Sequence, residues 1–131
     1  MLFNLATTKK INQRTIKFHP IPLALLVLFF VLMVGIGSVP GQASSLSAHF
    51  GDKPLHFSAY AVMAFLGFQS INAHRWIRIT FSLILIASLG LIDESIQALL
   101  PYRHASLADW GFDIAAAIVM NFILSLHTRE N

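Results

Sequence analysis

At 131 residues, with 56% hydrophobic and only 11% charged side chains, the chain is too apolar and too charge-poor for an ordinary soluble domain. The absence of cysteine excludes disulfide frameworks, thiolate nucleophiles and cysteine-based zinc sites. The formal charge of +3 comes from cations that sit mainly at segment ends rather than in a patch interleaved with aromatics, so no nucleic-acid partner is expected.

Taken in chain order, residues 1–20 form a basic N-terminal segment. Residues 21–39 are then uncharged, and at 1.5 Å per residue they extend roughly 28 Å, close to the ~30 Å hydrocarbon thickness of a bilayer. The basic start, apolar run and small residues Gly41 and Ala43 also resemble a secretory signal. Nineteen uncharged residues exceed the usual h-region of about 7 to 15, so an uncleaved anchor is expected. Residues 40–52, with Gly, Ser and Pro, read as an external loop. A second uncharged run covers 54–73 apart from His56. A third follows Trp76 and Arg78, enters the acidic pair Asp93 and Glu94, and extends to Leu100, where Pro101 helps to end it. A fourth runs over 107–126, and 128–131 form a short tail. The predicted fold is therefore all-α: a polytopic membrane protein in which residues 21–127 make one domain of four transmembrane helices.

Cations in short loops are retained on the cytoplasmic side. With both termini inside, Lys9, Lys10, Arg14, Lys17, Arg75, Arg78 and Arg129 are cytoplasmic and only Lys53 and Arg103 are outside, so the seven-to-two distribution predicts N-in/C-in. Five of the six acids, Asp52, Asp93, Glu94, Asp109 and Asp113, then fall at the outer ends of the second, third and fourth spans, and only Glu130 is inside. Asp93 lies seventeen residues beyond Trp76, roughly 26 Å along the axis and just within the outer boundary of the core. Carboxylates at that depth should turn away from lipid and find partners.

Helical spacing decides which of these groups share a face. Asp52, His56 and Tyr60 recur at intervals of four, Gln97 is four after Asp93 and three after Glu94, and Asp113 is four after Asp109. Three polar stripes at one level predict a pocket opening outward, with Lys53 and Arg103 as counter-ions. The same cluster also reads as a structural lock that fixes helix packing, or as an interfacial fringe. His49 and His104 read as solvated loop residues, and His74 and His127 as interfacial. Gly35, Gly37, Gly67, Gly111 and Ala115 to Ala117 read as sites of close helix packing.

The stretches "DKPLHFSAY" (52–60) and "DESIQALLPYRHASLADWGFD" (93–113) resemble the signature of the VanZ-like family, small bacterial membrane proteins named after an accessory protein of teicoplanin resistance. The matching positions are Asp52, Lys53, His56, Tyr60, Glu94, Gln97, Pro101, Arg103, Asp109 and Asp113, within residues 50–120. Tyr102 stands where Gly is common and Ala116 where Gly usually follows, while Asp113 is the acidic variant of an Asn/Asp position. The resemblance implies a multi-pass protein of the bacterial cytoplasmic membrane with a polar site toward the outside. It also separates the acidic pair: Glu94 belongs to the signature, whereas Asp93 reads as a neighbour at the interface.

These residues suit three functions. The first is an accessory or ligand-binding envelope protein, in which Lys53, His56, Tyr60, Glu94, Gln97, Arg103, Asp109 and Asp113 line a pocket for an anionic amphiphile, a lipid head group, an envelope precursor or a glycopeptide-like ligand. The second is a membrane-embedded enzyme on a lipid-linked substrate, with His56 as general base or acid, Glu94 or Asp109 orienting it, and Arg103 stabilising negative charge. The third, a proton-coupled transporter, is weakened because the acids collect on one side. His56, Glu94 and Asp109 are suitable in type as metal ligands, but no metal-binding motif supports them, so neither metal nor cofactor is expected. Membrane lipids are the expected partners, and no residue pattern specifies an oligomer.

Overall fold

The computed structural model describes residues 16–128. Lys9, Lys10, Arg14, Arg129 and Glu130, on which part of the predicted orientation rests, lie outside the described residues. Within them the chain is helical, with one short extended pairing. The elements are β1 (Lys17–Phe18), α1 (Pro20–Gly37), α2 (Gln42–Phe50), α3 (Asp52–Gln69), β2 (Ile71–Asn72), α4 (Arg75–Ala98) and α5 (Leu107–His127).

Helix α1 starts on Pro20, where a missing amide hydrogen is harmless because first-turn N–H groups have no intrahelical acceptor. It stops at Gly37, three residues before Pro40. Nearly all its bulk faces outward: Ile21, Leu25, Leu28, Val31, Leu32 and Ile36 are exposed, and Leu26 alone is buried. An apolar surface that long suits contact with lipid rather than water.

The segment predicted as a loop, 40–52, instead contains helix α2. Gly41 and Gly51 adopt left-handed φ of 84° and 80°, which allows sharp reversals on both sides. The nine residues between them contain no Gly, Pro or β-branched side chain. The predicted second span is also shorter than its uncharged run. It ends at Gln69, where the Ser70 hydroxyl donates to the Gly67 carbonyl at 2.7 Å, and Ile71 and Asn72 leave the helix to pair antiparallel with Phe18 and Lys17.

Helix α3 is the hub, packed against α1, α2, α4 and α5, while α4 and α5 also pack on each other. The core is formed by Leu26, Tyr60, Met63, Ala64, Ile86, Ala116 and Ala117. Polar ties join the helices inside it. Ser82 donates to the Ala64 carbonyl at 3.0 Å, and Asn121 Nδ2 donates to Ser82 Oγ at 3.1 Å. At one end of the bundle Arg78 stacks 3.9 Å from the Phe68 ring centroid and donates to the Phe68 carbonyl and Gln69 Oε1, and His19 N–H donates to Ser70. At the other end the Tyr102 hydroxyl donates to the Ser38 carbonyl, fastening the α4–α5 connection to the end of α1.

Among the described residues, three helices, Pro20–Gly37, Arg75–Ala98 and Leu107–His127, are long and apolar enough to cross a membrane. Helix α3 is not among them, because its first five residues include Asp52, Lys53 and His56.

The predicted role of the glycines in close packing holds at Gly67, where an added Cβ would meet Ser82, Leu85 and Leu26 at 3.4–3.6 Å. It fails at Gly35, Gly37 and Gly111, which face open space. The tight position is Gly90, where a Cβ would sit 2.8 Å from Asp113 Oδ2 and 2.9 Å from Trp110 Cδ1. Trp110 is held there by donating from Nε1 to the Ala87 carbonyl at 2.9 Å. Gly90→Ala is therefore expected to destabilise the bundle by about 1–3 kcal/mol through overpacking. Gly111→Ala should change stability little, and reversible unfolding in mixed micelles compares the two variants directly.

Candidate functional site

Helices α3, α4 and α5 bring their polar stripes together at the end of the bundle that carries α2. On α3, Asp52 begins the helix, accepting from the Ser47 hydroxyl at 3.0 Å. One turn on, the His56 ring points into the bundle, and the next turn places Tyr60 in parallel stacking on it, with centroids 6.0 Å apart and planes 5° apart. His56 Nδ1 lies 3.0 Å from Asp113 Oδ1 on α5, a pair in which Asp113 is fully buried. The Tyr60 hydroxyl donates to Asp93 Oδ2 on α4 at 3.3 Å.

Glu94 couples the end of α4 to the start of α5. Its Oε2 accepts the Ser106 N–H at 2.5 Å, while the Ser106 hydroxyl, as N-cap of α5, accepts from the Asp109 N–H at 3.4 Å. The acid thus sits at a helix N-terminus, where unpaired N–H groups and the helix dipole favour negative charge.

A cavity of about 410 Å³ opens beside these groups, between α1 and the hub helix. Phe29, Leu32, Met33 and Ile36 of α1 form one apolar wall, and Leu55 and Ala59 of α3 face it. Asp52, His56, Asp93, Gln97 and Arg103 gather as its polar lining. A second cavity of about 360 Å³ shares Asp52, Gln97 and Arg103 and reaches His104 and Tyr102 in the α4–α5 connection.

Of the eight expected ligand-binding residues, His56, Tyr60, Glu94, Gln97, Asp109 and Asp113 are buried together at this level, and Arg103 borders the cavity. Lys53 does not join them. It is exposed on the first turn of α3, with its ammonium 5.9 Å from the Phe112 ring centroid, because one residue along a helix is about 100° around it. Asp93, read as an interfacial neighbour, is instead 5% exposed and lines the cavity. Its i, i+4 relation to Gln97 was the signal for this placement. The carboxylate orienting His56 is Asp113, not Glu94 or Asp109. His49 is exposed, its Nδ1 bonded to the Ser45 carbonyl at 2.8 Å, consistent with the solvated reading.

No family model, curated protein or solved structure matches this chain.

Breaking a buried ion pair by removing one partner leaves an uncompensated polar group, a loss of about 3–5 kcal/mol. Asp113→Ala should lower unfolding free energy by that order. Asp113→Asn keeps an acceptor for His56 and should lose less. Equal, sub-kilocalorie effects of both substitutions in a micellar unfolding titration would show that the pair carries no part of the packing.

Proposed function

We propose that this protein is a VanZ-like, four-span protein of the bacterial cytoplasmic membrane, N-in/C-in. Its outward-facing pocket binds an amphiphile, a lipid head group or a lipid-linked envelope precursor, in an accessory rather than catalytic role. The observation that carries this reading is the division of one cavity into an apolar wall from α1 and a polar end built by Asp52, His56, Asp93, Gln97 and Arg103. Acyl chain and head group have opposite solvation needs, and a cavity so divided meets both. Arg103 suits the anionic part of a head group, while Asp52 and Asp93 suit its hydroxyl or ammonium donors.

Four spans are supported by the position of α3. It alone of the four long helices falls short of the apolarity that crossing requires, and it is also the central one, so α1, α4 and α5 can shield it from lipid while its polar residues turn inward. Orientation is supported by the charges at the two ends. Lys17, Arg75 and Arg78 lie at the end where β1 pairs with β2, and the buried acids lie toward the other. The lack of native cysteine makes this directly measurable. A membrane-impermeant maleimide added to intact cells should label Ser44→Cys but not Asn72→Cys, and the reverse labelling would overturn the orientation.

The pocket is tested by purifying the protein with native lipids and identifying retained amphiphiles by mass spectrometry. Arg103→Ala is expected to lose at least about tenfold of the bound species, the equivalent of one charge-assisted contact of roughly 1.4 kcal/mol or more. Retention unchanged in Arg103→Ala and His56→Ala, with helicity intact, would leave the polar cluster as a structural lock. One observation favours a second, enzymatic reading: His56 both lines the cavity and is oriented by Asp113, as a general base requires. Turnover of the retained amphiphile, abolished by His56→Ala, would replace the accessory role with that one.

A further inference from the structure

We propose that His56, Glu94 and Asp113 form a site for one divalent transition-metal cation, Zn²⁺ or Mn²⁺, beside the polar end of the cavity. Each of the three offers a ligand atom, and these atoms all lie within 4.8 Å of one another. They come from three different helices, α3, α4 and α5, and are 9%, 5% and 0% exposed. Such a cluster could exist for packing alone, but packing leaves two of its oxygens without a hydrogen bond. Glu94 Oε1 and Asp113 Oδ2 are buried without any hydrogen-bond partner. A buried carboxylate oxygen left bare is costly, and a cation held by Glu94 Oε1 and by both oxygens of Asp113 would satisfy the two bare atoms at once.

Charge points the same way. Asp93, Glu94, Asp109 and Asp113 are all buried at this level with Asp52 at the rim, against His56 and Arg103 as the nearby basic groups. A low-dielectric cluster with that excess of carboxylates holds either several protons or a bound cation.

Donor type and spacing select the cation class. One imidazole and two carboxylates suit zinc, manganese or iron better than an all-oxygen calcium site. Two atoms bound to one metal at about 2.0–2.2 Å lie roughly 3.0–3.5 Å apart at tetrahedral to octahedral angles, and His56 Nδ1 and Asp113 Oδ1 are already 3.0 Å apart. Glu94 supplies the third ligand atom, within 4.8 Å of the other two, and the Ser106 N–H on its Oε2 supplies the outer hydrogen bond that orients a metal-bound carboxylate. Three protein ligands leave a coordination position for an exogenous group, such as a phosphate oxygen of a head group. That last clause rests on the pocket proposed above, whereas the cation itself does not.

The test uses the full chain in detergent, stripped with chelator and then titrated with Zn²⁺ and Mn²⁺, with bound metal counted by elemental mass spectrometry. About one cation per chain is expected. Glu94→Gln and Asp113→Asn, which keep the hydrogen-bonding shape, are expected to weaken binding by at least about tenfold. Lys53→Ala, exposed and outside the cluster, should not change it. Absence of stoichiometric binding overturns the proposal, as does binding insensitive to Glu94→Gln and Asp113→Asn in variants of native helicity. Binding lost in Asp52→Asn and Asp109→Asn but kept in Asp113→Asn also overturns it, assigning the cation to the neighbouring Asp52, His56 and Asp109 group. Lipid analysis of the same samples reads the pocket separately. Retained amphiphile without metal overturns the cation alone, and retained metal without amphiphile overturns the pocket alone.

Discussion

The bundle is organised around the burial of His56 against Asp113. Neither side chain is stable alone in an apolar interior, and their contact at 3.0 Å fixes how α3 and α5 face each other. Once that pair is set, the stripes repeating at four-residue intervals must follow. Tyr60 comes to rest above His56 and reaches Asp93, and the face of α4 carrying Asp93, Glu94 and Gln97 turns toward the same axis. The outward faces of the helices are then free to be apolar, as at Ile84, Leu91, Ile118 and Phe122.

The two ends of the bundle are held by different chemistry. At the basic end, backbone pairing between β1 and β2 and the Arg78 contacts to Phe68 and Gln69 close the structure with local, well-satisfied groups. At the acidic end the groups are numerous, buried and incompletely satisfied: Glu94 Oε1 and Asp113 Oδ2 lack partners. The cavity lies at this second end, walled by a helix, α1, that buries a single residue of its own. A third bare oxygen, Asn121 Oδ1 beside Ser82, lies toward the basic half, so unsatisfied polar atoms are concentrated at the cavity end without being confined to it.

Much of this arrangement was legible in the sequence because it follows from one-dimensional patterns. Uncharged runs located the long helices, Pro101 marked the end of α4, and helical spacing collected His56, Tyr60, Glu94, Gln97, Asp109 and Asp113. What escaped depends on tertiary geometry. Asp93 and Glu94 are adjacent, and only the approach of Tyr60 and Ser106 shows that both turn inward. Lys53 follows an inward-lying stripe by one residue and so faces out. Helix α2 was hidden by a composition that signals turns, since its two glycines act at its borders and not within it. The partner of His56 could not be chosen among three carboxylates by spacing alone, because each lies on a different helix from the histidine.

The approach of α4 and α5 at Gly90 leaves no room for a methyl group between the α4 backbone and the side chains of Asp113 and Trp110. Positions 90, 110 and 113 therefore do not vary independently. A side chain gained at 90 demands a smaller one opposite, and a longer acid at 113 would collide with α4. In any lineage descended from this sequence the three should change together or not at all, so the interhelical distance would be recorded as correlated substitution.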